Sequence, residues 1–156
     1  MDITIERVFD APVEKVWKAW TEPEEIMKWW GPKNWTAPVV KTDFKVGGTF
    51  LYCMRGTMGP GIPEQDNWSG GEYKEIVPLQ KIVATDYFTD PEGNKISSND
   101  VGMPGKWPDE MRVTATFEDM GGKTKLTLFH EGHPAEIAEM AKMGWNQSLD
   151  KLAAIL

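Results

Sequence analysis

Apolar and polar positions alternate from the start of the chain. Ile3, Ile5 and, after Glu6 and Arg7, Val8 and Phe9 predict a short strand that runs into Asp10-Ala11-Pro12. Asp10 and Pro12 read as a helix start. Behind them Val13, Val16, Trp17 and Trp20 recur at spacings of three and four, which predicts a helix with one apolar face. Thr21-Glu22-Pro23-Glu24 repeats the punctuation, and a second short helix carrying Ile26, Met27, Trp29 and Trp30 is expected to stop at Gly31-Pro32.

From Ala37 to Glu131 the period changes to that of strands. Val39 to Lys45 and Gly48 to Arg55 flank the glycine turn at Gly47-Gly48. Gly71 to Val77 and Lys81 to Phe88 flank Pro78-Leu79-Gln80, and Glu110 to Glu118 and Lys123 to Glu131 flank Gly121-Gly122. Two long connections, Gly56 to Gly70 and Thr89 to Pro108, interrupt the series. In an antiparallel meander they must share one end of the sheet, and connections of that length are commonly functional. After Gly132-His133-Pro134 a single helix of twenty-two residues, about 33 Å long, is expected to reach the C-terminus. Ile137, Met140, Ala141, Gly144, Trp145, Ser148, Leu149, Leu152 and Ile155 lie along one side of it. The 156 residues show no repeat or linker and are read as one domain spanning 1–156.

Charge and cysteine content narrow the function classes. Lys plus Arg number 17 against 24 Asp plus Glu, so the formal net charge is −7. A broad phosphate-tracking surface is therefore not expected, nor is a nucleic-acid partner. Cys53 is the single cysteine, and the first residues lack the basic start and apolar run of a leader, which leads to the expectation of a cytoplasmic protein. No apolar run is long enough to span a bilayer. The chain is rich in tryptophan (8) and methionine (9), residue types that suit either a core or an adaptable pocket.

The order of elements, and several local motifs, are similar to those of a known family. Phe9-Asp10-Ala11-Pro12 with Val16-Trp17, Trp29-Trp30-Gly31-Pro32, Asp43 with Gly47-Gly48, Gly71-Glu72-Tyr73, Gly122-Lys123-Thr124 with His130, and Gly144-Trp145 occur in sequence over essentially the whole chain. Together they resemble the bacterial homologues of the heat-shock-protein-90 ATPase activator, within the START and Bet v 1-like helix-grip superfamily. The resemblance implies an α+β helix-grip fold: a seven-stranded, antiparallel, curved sheet wrapped around a long C-terminal helix, with two short helices between the first two strands. It also implies an internal cavity. It supplies no common activity and no catalytic set.

The candidate chemistry is sparse. His130-Glu131-Gly132-His133 has its histidines three apart at a strand-to-helix junction, not four apart on one helical face, so no metal site is expected. His130 shares strand parity with Leu126 and Leu128 and is expected to line the interior, where a neutral imidazole would orient a polar ligand group; the alternative is a bond to a loop carbonyl. His133 is read as a helix cap. Asp86 shares parity with Ile82 and Ala84, and Glu75 with Tyr73 and Val77, but the opposite faces are equally plausible, so either carboxylate is open between an inward and a structural role. Arg55 is expected at the surface and Cys53 in packing.

The apolar constellation carries more. Phe50, Tyr52 and Met54 on one strand, Tyr73 on the next, Met111, Val113, Ala115 and Phe117 on another, and Met140, Gly144, Trp145 and Ser148 on the long helix would face one another, with His130, across the helix–sheet interior. The first functional reading is a small hydrophobic or aromatic ligand held there, without a cofactor. The alternatives are a protein-binding module that contacts a partner such as a chaperone, and a cyclase- or hydrolase-type enzyme using the same cavity. Trp68 and Trp107, in the two long connections, are expected to fold over the bound molecule.

Overall fold

The computed structural model describes residues 1–102 and 105–156. Seven antiparallel strands form one sheet in the order β1-β7-β6-β5-β4-β3-β2. They are β1 (Ile3–Phe9), β2 (Thr36–Thr42), β3 (Thr49–Gly56), β4 (Gln65–Val77), β5 (Lys81–Phe88), β6 (Met111–Asp119) and β7 (Thr124–Glu131). Two short helices, α1 (Val13–Thr21) and α2 (Pro23–Ile26), separate β1 from β2, and α3 (Ala138–Ile155) closes the chain. Six strands thus follow one another as a meander, and β1 closes the far edge by pairing with β7 from Ile3↔His130 to Phe9↔Thr124.

Several boundaries differ from expectation, each for a local reason. The α1 N-cap is Pro12, with no side-chain cap, and Asp10 is exposed. After α2 the backbone tightens, with Lys28 N–H donating to Glu25 and Trp29 N–H to Ile26, so the helix ends before the tryptophans. That turn drives Trp29 into the core, where its Nε1–H donates to the Ala19 carbonyl at 2.8 Å. β2 begins at Thr36 and carries Pro38, which an edge strand tolerates. β4 begins at Gln65, because Gln65 to Ser69 pair residue by residue with Tyr52 to Gly56 of β3. Apart from Trp68 those positions are polar, without alternation; Arg55 and Asp66 hold the outer face with hydrogen bonds of 2.8 and 3.1 Å. The helix at the C-terminus is 18 residues, about 27 Å, rather than twenty-two, since residues 135–137 form a turn in which Ile137 and Ala138 N–H groups donate to the Pro134 carbonyl. Met140 and Ile155 stand largely exposed on it.

Most of the core lies at the β1-β7-β6 end, where Ile3, Ile5, Phe9, Leu126 and Leu128 meet Val16 of α1 and Leu149 and Leu152 of α3. A second, smaller cluster of Ile26, Ala37, Val40 and Tyr52 sits under α2 at the opposite edge. α3 is tied down at both sides of the concave face. Arg7 of β1 donates to Asp150 at 2.6 Å, and Lys151 donates to the Trp35 carbonyl at 2.9 Å. The sheet leaves no room at Gly71, where an added Cβ would lie 1.9 Å from the Thr85 carbonyl oxygen and 2.6 Å from Cζ of Phe50. Among the described residues no helix is long and apolar enough to cross a membrane.

Candidate functional site

Between the two packed clusters the concave sheet face and α3 do not close. The inner of two cavities, about 70 Å³, is walled by Trp20, Trp30, Phe44, Phe50, Tyr52, Tyr73, Ile82, Ala84, Val113, Ala115 and Trp145. The outer, about 280 Å³ and more open, lies toward the end of the sheet that carries the long connections, and Met54, Tyr87, Phe88, Trp107, Met111, His133, Ile137, Met140, Gly144 and Ser148 line it. Trp30, Ser69, Asp86 and Trp145 line both and so form the partition between them. Small residues at Gly144 and Ser148 of α3 leave the outer space open: a Cβ added at Gly144 would meet only Pro32, at 3.4 Å.

Of the thirteen residues set across the interior from the sequence, all but Phe117, which is packed in the core, line one cavity or the other. Phe50, Tyr52, Tyr73 and Val113 face the inner one; Met54, Met111, His130, Met140, Gly144 and Ser148 face the outer; Trp145 faces both. Met140 does so from an exposed position on α3. Sequence reasoning missed Trp20, Trp30, Phe44, Ser69, Tyr87, Phe88 and His133. The adjacent Trp29-Trp30 pair was a usable signal, because two large rings in succession cannot both fit one small core.

The polar floor is built by β5, β7 and α3. Asp86 stands opposite Met111 of β6, and Val113, two residues on, stands opposite His130 of β7, so the carboxylate and the imidazole reach toward each other over β6. Strands two apart in a flat sheet are separated by roughly 9–10 Å. On this concave face the side chains converge until His130 Nε2 is 3.0 Å from Asp86 Oδ2. The imidazole is buried, and on its other side Trp145 Nε1–H donates to Nδ1 at 3.0 Å.

That indole hydrogen bond fixes the state of His130. A donor aimed at Nδ1 requires a lone pair there, so the ring is a neutral imidazole with its proton on Nε2, toward Asp86. The Nε2 contact has hydrogen-bond length but not hydrogen-bond alignment, and Nε2 has no directed partner among the described residues. Geometry therefore leaves the Asp86 carboxylate poorly satisfied.

His133 is not a helix cap. Its ring packs edge-to-face on His130 at 4.2 Å and against Trp107 at 5.8 Å, because Gly132, at φ +100°, turns the chain inward beside Pro108 and Met111. Burial is the chief cause that pushes its pKa down to about 4, so the ring is neutral. Its buried Nδ1 has no partner among the described residues. In the inner cavity burial pushes Tyr52 well above the phenol range and Tyr73 up to about 12, so both stay protonated.

The remaining candidates fall elsewhere. A bulge between Tyr73 and Glu75 breaks the parity of β4, and Glu75 is exposed, 3.3 Å from Lys81. Thr85, on the other parity of β5, accepts from the Glu72 N–H at 3.0 Å, which leaves the inward position to Asp86. Cys53 is buried and its thiol pKa is pushed up, chiefly by burial. Trp68 alternates with cavity-lining Ser69 and so lies on the other sheet face; residues 57–64 contribute nothing to the lining, whereas Trp107 does. Among the described residues no set of three His, Cys, Asp or Glu side chains is arranged to hold a metal ion.

A curled, seven-stranded antiparallel sheet gripping a long C-terminal helix defines a helix-grip protein. The profile of the family described as "Activator of Hsp90 ATPase homolog 1-like protein" matches residues 10–156, and the chain belongs to that family. A crystal structure of a protein from Chromobacterium violaceum is 32% identical, with TM-score 0.78 over 99% of this chain and 95% of that one. A solution structure of a protein from Arthrobacter aurescens is 26% identical, with TM-score 0.76 over 99% and 84% of the two chains. The AHSA1 protein from Silicibacter pomeroyi, 23% identical with TM-score 0.74 over 99% and 96%, shares the fold. Among curated proteins none matches.

Proposed function

We propose that this protein binds a small apolar or aromatic molecule in the space between the concave sheet face and α3. The observation that carries the reading is the pair of adjoining cavities, walled by tryptophan, tyrosine, phenylalanine and methionine, in a region where sheet and helix fail to pack. A space of this size lined by rings and pliable thioethers, with a few convergent polar atoms, is what a small-molecule site requires. A void kept open by Gly144 is also costly to the fold, since glycine inside a helix gives up roughly 0.5–1 kcal/mol relative to alanine.

The test is titration with a neutral fluorescent dye, phenylnaphthylamine, against the wild type and Gly144→Leu. The leucine adds helix propensity and points into the outer cavity, so thermal unfolding should show the variant at least as stable as the parent. Saturable dye binding that weakens at least tenfold in the variant is expected. Equal binding by both proteins, or none by the wild type, contradicts the proposal.

A further inference from the structure

Resting on that reading of the cavity, we infer that the occupant is an organic cation: an aromatic or alkyl body carrying a protonated amine, whose ammonium docks against Asp86 at the partition between the two lobes.

Four observations converge. First, the Trp145 hydrogen bond holds His130 neutral, so the imidazole 3.0 Å from Asp86 carries no charge to balance the carboxylate. Second, neither lobe is lined by a lysine or arginine, and among the described residues no lysine or arginine comes within ion-pairing distance of Asp86. A carboxylate facing a mostly apolar cavity without a counter-ion is expensive, and a ligand cation removes that cost. Third, the polar atoms around it suit a donor. The carboxylate oxygens only accept, the Ser69 hydroxyl can accept, and a neutral His133 can present its buried, unpartnered Nδ1 as a lone pair. An ammonium brings up to three N–H groups to such a set, whereas a fatty-acid or other carboxylate would meet Asp86 with like charge. Fourth, the walls around Asp86 include Trp30, Tyr87, Phe88, Trp107 and Trp145, and an aromatic ring met face-on attracts a cation through its quadrupole. The net charge of −7 favours approach of a cation to the protein as a whole.

The probes are three molecules of matched shape, naphthylmethylamine, naphthylmethanol and naphthylacetate, measured by calorimetry at neutral pH against the wild type and Asp86→Asn. The amine should bind the wild type at least fivefold more tightly than the alcohol, with the carboxylate weakest. Asn keeps the shape of Asp86 and an oxygen for Nε2–H, and in that variant the amine and alcohol should bind within twofold of each other. If the alcohol binds the wild type as tightly as the amine, the cation assignment fails while the cavity reading stands. An amine preference that persists in Asp86→Asn overturns the role of Asp86, and failure of all three probes overturns both readings. The wild-type ranking decides the assignment even if the variant folds poorly.

Discussion

Trp145→Phe removes one hydrogen-bond donor and little else from the wall shared by the two cavities. The indole donates to His130 Nδ1 at 3.0 Å, and His130 is only 5% exposed, so the acceptor left behind loses its partner in a largely buried setting. A neutral hydrogen bond contributes about 1 kcal/mol net, and an orphaned buried acceptor costs about 1–3 kcal/mol. The variant keeps an aromatic ring stacked toward Trp20 and facing Trp30, and the lost ring area borders space that is already empty, so the cavity term is small. The expected destabilisation is therefore about 1–3 kcal/mol, dominated by His130. A double-mutant cycle with His130→Phe isolates that share, with an expected coupling of about 1–2 kcal/mol from urea denaturation. Nitrogen chemical shifts of the imidazole give an independent reading: Nε2 protonated and Nδ1 bare in the wild type, and a mixture of both tautomers in Trp145→Phe. Additivity within about 0.3 kcal/mol, or a wild-type ring protonated at Nδ1, would refute the tautomer argument and remove the first support for an unbalanced Asp86.

Gly71→Ala should destabilise by at least about 3 kcal/mol, since its Cβ would lie 1.9 Å from a Thr85 backbone oxygen that is fixed by the sheet and 2.6 Å from Phe50; a loss under about 1 kcal/mol in denaturant would show that β4 relaxes freely. His133 should make stability depend on pH. Its folded pKa, about 4, lies below the ordinary 6.5, so above 6.5 both states are neutral and the full stability is present, while between 6.5 and 4 only the unfolded chain takes up the proton and stability falls with pH. The loss attributable to this residue is up to about 3 kcal/mol, read as the difference between wild-type and His133→Gln unfolding curves over that window; parallel curves would contradict the burial argument.

The fold was legible because its strands alternate cleanly where one face is buried and the other wet. The Ile3 to Phe9 and Lys123 to Glu131 segments pair with each other across more than a hundred residues, yet each announces itself locally through its period. Legibility failed where burial no longer imposes a pattern. Gln65 to Ser69 pair with β3 as fully as the rest of β4 does, but the segment starts out exposed and polar, so nothing in its composition distinguishes it from the loop before it. The bulge at Tyr73/Glu75 is invisible for a related reason: a single extra residue reverses parity without changing residue types, and it moved Glu75 from a possible interior position to the surface.

The site divides along the same line. Its apolar wall followed from parity and helical phase, which is why most aromatic and methionine residues inferred from the sequence face a cavity, while Phe117 is packed in the core and Trp68 lies on the other sheet face. Its polar floor did not, because it is made by side chains that meet over an intervening strand. His130 was placed inward by its parity with Leu126 and Leu128, while Asp86 stayed undecided because both faces of β5 are apolar. What settles Asp86 is register and curvature together. Pairing with Met111 sets it two residues along β6 from the residue opposite His130, and the concave sheet face lets carboxylate and imidazole meet over β6. Both are properties of the assembled sheet. A carboxylate, a neutral imidazole and an indole are thus brought to one point by three elements, at the place where sheet and helix stay apart.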